Sequence, residues 1–228
     1  METEQRGRPA RVKRLPRAVR ERQILDAATA VFSQRGYHAA SMDEVAEVAA
    51  ISKPMVYAYL GSKEELFAAC IKREATRLTE SVGTVVDPNL APEEQLWRGV
   101  LAFFTFVGEH RDSWNVLHRQ VTSEGHPFAQ QIAEGRKRVI ALIGALLSQA
   151  AQAQGMPDYF VPETKPIAAA LVGAGESLAD WWLDHPDETA KAMALRLMNL
   201  VWLGFGTLVQ GRTWHPPAGP ADATPTPA

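Results

Sequence analysis

Several things are scarce in this sequence, and each shortage excludes a class of protein. Cysteine occurs once in 228 residues, at Cys70. No internal disulfide is possible, and its place in the apolar phase of a helical stretch predicts burial rather than reactive chemistry. No run of about 18 apolar residues free of charge is present, so no membrane span is expected. The basic N-terminus has no apolar stretch behind it, which predicts no secretory signal and a cytoplasmic chain. The six histidines, His38, His110, His118, His126, His185 and His215, show no H-E-x-x-H or other metal-ligand spacing. A glycine-rich phosphate loop and a G-x-S-x-G elbow are both missing. No metal, cofactor or catalytic residue is therefore expected. Glu109-His110 and His118 read as solvated or packed side chains rather than an acid–base pair, so an enzyme is disfavoured. Nothing alternates with period 2 for long enough to predict a strand.

What is present points to a globular, all-α protein. Apolar residues make up 46% of the chain, enough for a sizeable core. The formal net charge of −2 hides an asymmetry. Residues 1–22 hold eight cations (Arg6, Arg8, Arg11, Lys13, Arg14, Arg17, Arg20, Arg22) against Glu2, Glu4 and Glu21. The remainder is left with 16 basic and 23 acidic residues out of totals of 24 and 26. A basic arm on an acidic body suits a protein that meets nucleic acid at one end, or else a solvated tail.

Apolar residues at Ile24, Leu25, Ala28, Val31 and Phe32 mark a first helix that Gly36 stops. Ser41 with Glu44 forms an S-x-x-E capping box for a short helix carrying Met42, Val45, Ala46 and Ala49. After a turn at Ala50-Ile51, Ser52 offers another cap, with Pro54 in the first turn of a third helix, Lys53 to Tyr59. Gly61 ends it, and Ser62 with Glu65 opens a long helix through Leu66, Phe67, Cys70 and Ile71. Pro88 and Pro92 break a loop. Helical patterns then recur at about 93–109, 112–123, 127–153, 163–184 and 187–210, and the Pro/Ala-rich text after Trp214 is expected to be disordered.

Two short capped helices joined by a tight turn and braced by a third form a helix-turn-helix, whose second helix enters the major groove. Lys53, Met55, Tyr57 and Tyr59 lie on that helix, with Val56 and Leu60 facing inward. Lys53 can reach a phosphate or a guanine edge and Met55 a thymine methyl. Tyr57, Tyr59 and Ser41 can donate to phosphates, and Lys63 sits at the next helix N-terminus. Residues 24–71, and above all SKPMVYAYLGSKEEL, resemble the DNA-binding domain of the TetR family of bacterial regulators. By that resemblance the DNA contacts fall on Ser41, Lys53, Met55, Tyr57, Tyr59 and Lys63. One departure is Ala50, where the family usually has glycine. Should that position need φ > 0, alanine costs about 1 kcal/mol. Arg6-Gly7-Arg8-Pro9 resembles the core of an AT-hook, which lays two arginines in a narrow minor groove.

The expected division is a basic arm (1–17), the helix-turn-helix (18–62), an effector and dimerisation domain (63–212) and a disordered tail (213–228). The resemblance implies a homodimer closed by the last two helices, on a palindromic double-stranded operator. Leu178, Trp182, Leu195, Met198, Trp202 and Phe205 are its candidate face, with ordinary core as the alternative. Small residues beside aromatics suggest an effector cavity lined by Phe103, Phe104, Val107, Trp114, Leu117, Val121, Gly173, Ser177 and Trp181, or close helix packing instead. The wording around RGYHAASMDEVA and LVGAGESLADWWLDHP looks most like regulators of fatty-acid metabolism, which implies a small hydrophobic, acyl-type effector and, as the expected sense of control, repression. The rival reading is an architectural DNA-binding protein with no effector.

Overall fold

A computed structural model describes residues 15–85, 87, 89–119, 128–153, 155 and 162–209, and among these every regular element is helical. In chain order they are α1 (Arg17–Ala39), α2 (Met42–Val48), α3 (Lys53–Leu60), α4 (Lys63–Gly83), α5 (Pro92–Glu109), α6 (Arg111–Trp114), α7 (Ala129–Ala153), α8 (Thr164–Leu183) and α9 (Ala190–Val209). A π-helical turn, Asn115–Arg119, follows α6 directly. Arg6, Arg8 and Val121, the tail from 213 on, and the side chain of Phe205 lie outside the described residues.

The described residues divide into two compact units. One takes them from Met1–Ala75 and Asp112–Ala129, the other from Thr76–Arg111 and Gln130–Ala228. This differs from the boundary after residue 62 expected from sequence, for a physical reason. The first turns of α4 bury Leu66, Phe67, Cys70 and Ile71, and the core they join is the one under the first three helices. Phe32 meets Phe67 edge-on at 4.8 Å between ring centroids, and Phe67 lies 5.0 Å from Phe128. Arg73 ties α4 to α1, reaching Asp26 at 2.7 Å and the Thr29 hydroxyl at 3.1 Å. The same guanidinium pairs with the fully buried Glu74, so that carboxylate keeps a counter-charge out of water. Burial raises the Cys70 thiol to about 12, consistent with a packing role.

In the second unit α5 packs chiefly along α9, with α8 against both. Val100, Phe104 and Val107 give α5 a buried stripe at helical spacing. On α8 the buried positions are Thr164, Ala168, Leu171, Gly175, Ala179 and Trp182. Leu147 and Ala151 of α7 join Ala168, with Trp202 of α9 packed on that cluster. Trp182 stands 6.1 Å from Phe104 between centroids and donates its indole N–H to the Glu188 carbonyl at 2.8 Å. Its ring lies over Gly108, where a Cβ would come within 2.7 Å of Cη2. Trp182, a candidate for the dimer face with ordinary core as the alternative, is buried within its own unit.

Candidate nucleic-acid interface

The first helix of the DNA-binding unit does not run straight into the second. Gly36 takes φ 76° and ψ 165° inside α1, in a region open to glycine and costly to other residues, so the chain turns and continues to Ala39. Tyr37, just past the break, is buried, stacks on Phe32, lies tilted against Phe67 and meets Phe128 edge-on. Its hydroxyl donates to Glu64 Oε1 at 2.9 Å. Burial, helped by that carboxylate, raises the phenol to about 12. Glu64 is lowered in turn, first by its own backbone N–H and then by the Tyr37 hydroxyl.

Next comes the capping box. The Ser41 hydroxyl accepts from Glu44 N at 3.1 Å while the Glu44 carboxylate accepts from Ser41 N at 3.1 Å. The second box also forms, with Ser62 N donating to Glu65 Oε2 at 2.7 Å and Glu65 N to Ser62 Oγ at 3.2 Å. Ser52 is different. It precedes α3 in extended conformation but makes no side-chain cap, so Pro54 and the turn itself start that helix. Between α2 and α3 the Ile51 N–H reaches the Ala46 carbonyl and the Ala50 N–H that of Glu47, both at 3.0 Å. These are the two bonds of a Schellman stop, which needs a left-handed residue. Ala50 supplies it at φ 51°, the strained alternative left open by the sequence. Gln23 braces the same turn from α1, donating to the Ala49 carbonyl at 2.6 Å. No sequence pattern marks a glutamine for that task.

The turn leaves one side of α3 open. Val56 is fully buried, whereas Met55 and Tyr57 stand 36% and 46% exposed. Leu60, expected to face inward, is only half-buried. Tyr59 is half-buried, with the Arg17 guanidinium 5.4 Å above its ring. Lys53 is exposed and its ammonium lies 2.9 Å from Asp43 Oδ2. That carboxylate raises the lysine above its ordinary value. The Lys63 ammonium donates to the His38 carbonyl at 3.1 Å and sits 4.9 Å over the Tyr37 ring. Ser41, Lys53, Met55, Tyr57, Tyr59 and Lys63 thus all belong to the first unit, on or beside a short helix with an uncovered face. Asp43 is additional, since one acidic residue in helical text carries no signal in sequence; Arg17 belongs to the basic arm.

The expected effector residues that are described divide between the two units. Trp114 and Leu117 fall in the first unit, the others described in the second. Phe104 and Val107 are fully buried, and Phe103 meets Phe104 edge-on at 5.0 Å. On α8, Gly173 stands near Arg136, which pairs with Glu176 through two 2.9 Å hydrogen bonds. Ser177 and Trp181 are exposed, about half a helical turn away from the buried stripe. Trp181 stacks on His185 at 3.8 Å, with Arg196 on the ring as well. Of the expected dimer residues, Leu195 is exposed, Met198 buried, and Leu178 and Trp202 half-buried.

The chain matches the family "Bacterial regulatory proteins, tetR family" over residues 24–70 and "Tetracyclin repressor-like, C-terminal domain" over residues 92–204. It is 30% identical over 209 residues to the HTH-type transcriptional activator FasR of Mycolicibacterium smegmatis, covering 89% of this chain and 93% of the relative. A TetR-like transcriptional regulator from Rhodococcus sp. RHA1 superposes with a TM-score of 0.72 at 46% identity, over 85% of this chain and 99% of the other. FadR from Bacillus subtilis, solved in complex with stearoyl-CoA, shares the fold with a TM-score of 0.70 at 17% identity, over 79% and 96% of the two chains. The chain is therefore a member of the TetR family, a DNA-binding transcriptional regulator and not an enzyme.

Proposed function

We propose that the protein binds a palindromic operator as a homodimer, reads the major groove with α3, and changes its grip when an elongated acyl-type molecule occupies the second unit. The observation that carries the reading is the uncovered face of α3, where Met55 and Tyr57 project from a helix held only through Val56. One such helix spans too few base pairs for a specific site, and two on a twofold axis reach successive major grooves about 34 Å apart. Large apolar side chains left open on the last two helices, Trp181, Leu195 and Leu200, are the surface a second copy would cover. Phe103, Phe104 and Val107 supply apolar wall to an effector site. The stearoyl-CoA bound by the Bacillus subtilis protein supports an acyl chain as its occupant. The 1–17 arm adds charge in the adjacent minor groove through Arg6 and Arg8, and its deletion lowers affinity and flattens the salt slope. The expected sense of control is repression, with the effector releasing the operator. The mycobacterial relative is named an activator, so a promoter reporter is read in both directions.

The test is an anisotropy titration of the purified protein against its own promoter DNA, with and without a panel of acyl-CoAs and free fatty acids. Saturable binding that an acyl compound shifts is the expected result. Binding indifferent to every lipid, with no ligand-induced rise in melting temperature, overturns the effector and favours an architectural role. Sedimentation of Leu200→Asp at micromolar concentration tests the interface, and an unaltered dimer overturns it.

A further inference from the structure

On the reading of α3 as the groove-reading helix, we infer that Asp43 is a specificity-setting positioning residue: its ion pair with Lys53 withholds that cation from arbitrary DNA and yields it only to a matching site. Asp43 is the second residue of α2 and Lys53 the first of α3. Their side chains are 69% and 45% exposed and 2.9 Å apart. An open pair of this kind holds by about 0–1 kcal/mol, weak enough for a good base contact to displace and strong enough to stay closed against a poor one.

Asp43 has no part in the cap of its own helix, which Ser41 and Glu44 complete between them. The same arrangement recurs around it. Arg35 pairs with Glu44 at 3.2 Å and Arg17 with Glu21 at 2.8 Å. Residues 15–75 carry eight Lys and Arg against eight Asp and Glu, while residues 1–14 carry five against two. Residues 15–75 are charge-neutral, and the surplus cations precede them. Sequence-independent binding comes from cations that neutralise phosphates and release counterions. A lysine closed onto a carboxylate contributes nothing to that term. Facing a guanine, its ammonium gains directed bonds to O6 and N7 and the pair opens. Asp43 therefore taxes the non-specific complex by one cation and the specific complex by only the cost of opening.

The experiment uses the full chain with two duplexes, one selected by the wild type from a randomised library and one of random sequence, each titrated across salt. In Asp43→Asn the random-sequence complex should tighten several-fold and its log K against log salt slope steepen by about 0.9, the share of one phosphate contact. The selected complex should keep its slope, so the ratio of the two affinities falls. In a Lys53→Gln background, Asp43→Asn should leave both slopes where they were. These slopes do not respond to a small loss of α2 stability, which melting curves track separately. An unchanged random-sequence slope in Asp43→Asn overturns the inference. So does the full Asp43→Asn effect persisting without Lys53, since Asp43 then acts by repelling phosphate directly. If the wild type selects no sequence at all, the groove-reading assignment has failed and the inference falls with it.

Discussion

The two units are held together in different ways. The first closes its core with long-range contacts such as Phe32 on Phe67, but sets its backbone turns locally, with two reciprocal capping boxes, a Schellman stop at Ala50 and a glycine break at Gly36. The second takes its shape from side chains far apart in sequence, with Trp182 over Gly108, Phe104 against Trp182 and Arg136 on Glu176. Local devices fix where a backbone turns, which a DNA-reading helix requires. Long-range apolar contacts fix a volume, and a volume is what an effector site can vary without disturbing the turns.

Substitutions can sharpen or break that contrast. The largest effect is expected from Phe67→Ala, which empties the aromatic junction of the first unit and should cost about 3–5 kcal/mol in denaturant unfolding. Gly108→Ala comes next. Its methyl would meet Trp182 at 2.7 Å, and overpacking of that kind costs about 1–3 kcal/mol. Operator affinity measured well below the melting point should change less than stability does; equal losses would mean that the second unit's packing also sets the grip on DNA. Ser41→Ala removes one reciprocal cap and should cost about 1 kcal/mol. Ala50→Gly should act in the opposite direction, raising stability by up to about 1 kcal/mol because φ 51° ceases to strain the chain. A lower melting temperature for that variant would show that the Schellman stop is not strained.

The smallest effect concerns pH. Tyr37 has a raised folded-state value, from 10.0 to about 12. Its contribution is full below pH 10 and is lost as pH climbs through about 12. Tyr37 should therefore ionise late in an ultraviolet titration, and Tyr37→Phe should abolish that late step.

The same contrast explains what could be read from the amino-acid sequence. The helices, both S-x-x-E boxes and the special position of Ala50 were legible because each is written within a few consecutive residues. The exposure of Lys53, Met55 and Tyr57 was legible too, since a helix anchored at Val56 leaves few positions outside. What the pattern could not show was the partner of each exposed charge. Asp43 lies ten residues before Lys53, and Gln23 lies 26 before Ala49. Ser52 looked like a cap and makes none, because Pro54 already fixes the first turn. On α8 two adjacent tryptophans offered the choice of which faced inward. Periodicity alone favoured neither, and the gap at Gly108, which admits only Trp182, lies more than 70 residues earlier in the chain. One of the small residues of α8 does meet an aromatic: a Cβ on Gly175 would lie 3.7 Å from the Phe103 ring.

One feature of α4 has a consequence for motion. The helix is continuous from Lys63 to Gly83, yet its buried side chains, Leu66, Phe67, Cys70, Ile71 and Glu74, all come before Ala75. Backbone amides before that point lie beside the buried aromatic junction and should exchange slowly with solvent deuterium, whereas those after it belong to half-buried or exposed residues and should exchange faster. An exchange profile along this single rod should therefore fall in one step near Ala75, with slow amides giving way to fast ones inside an unbroken helix.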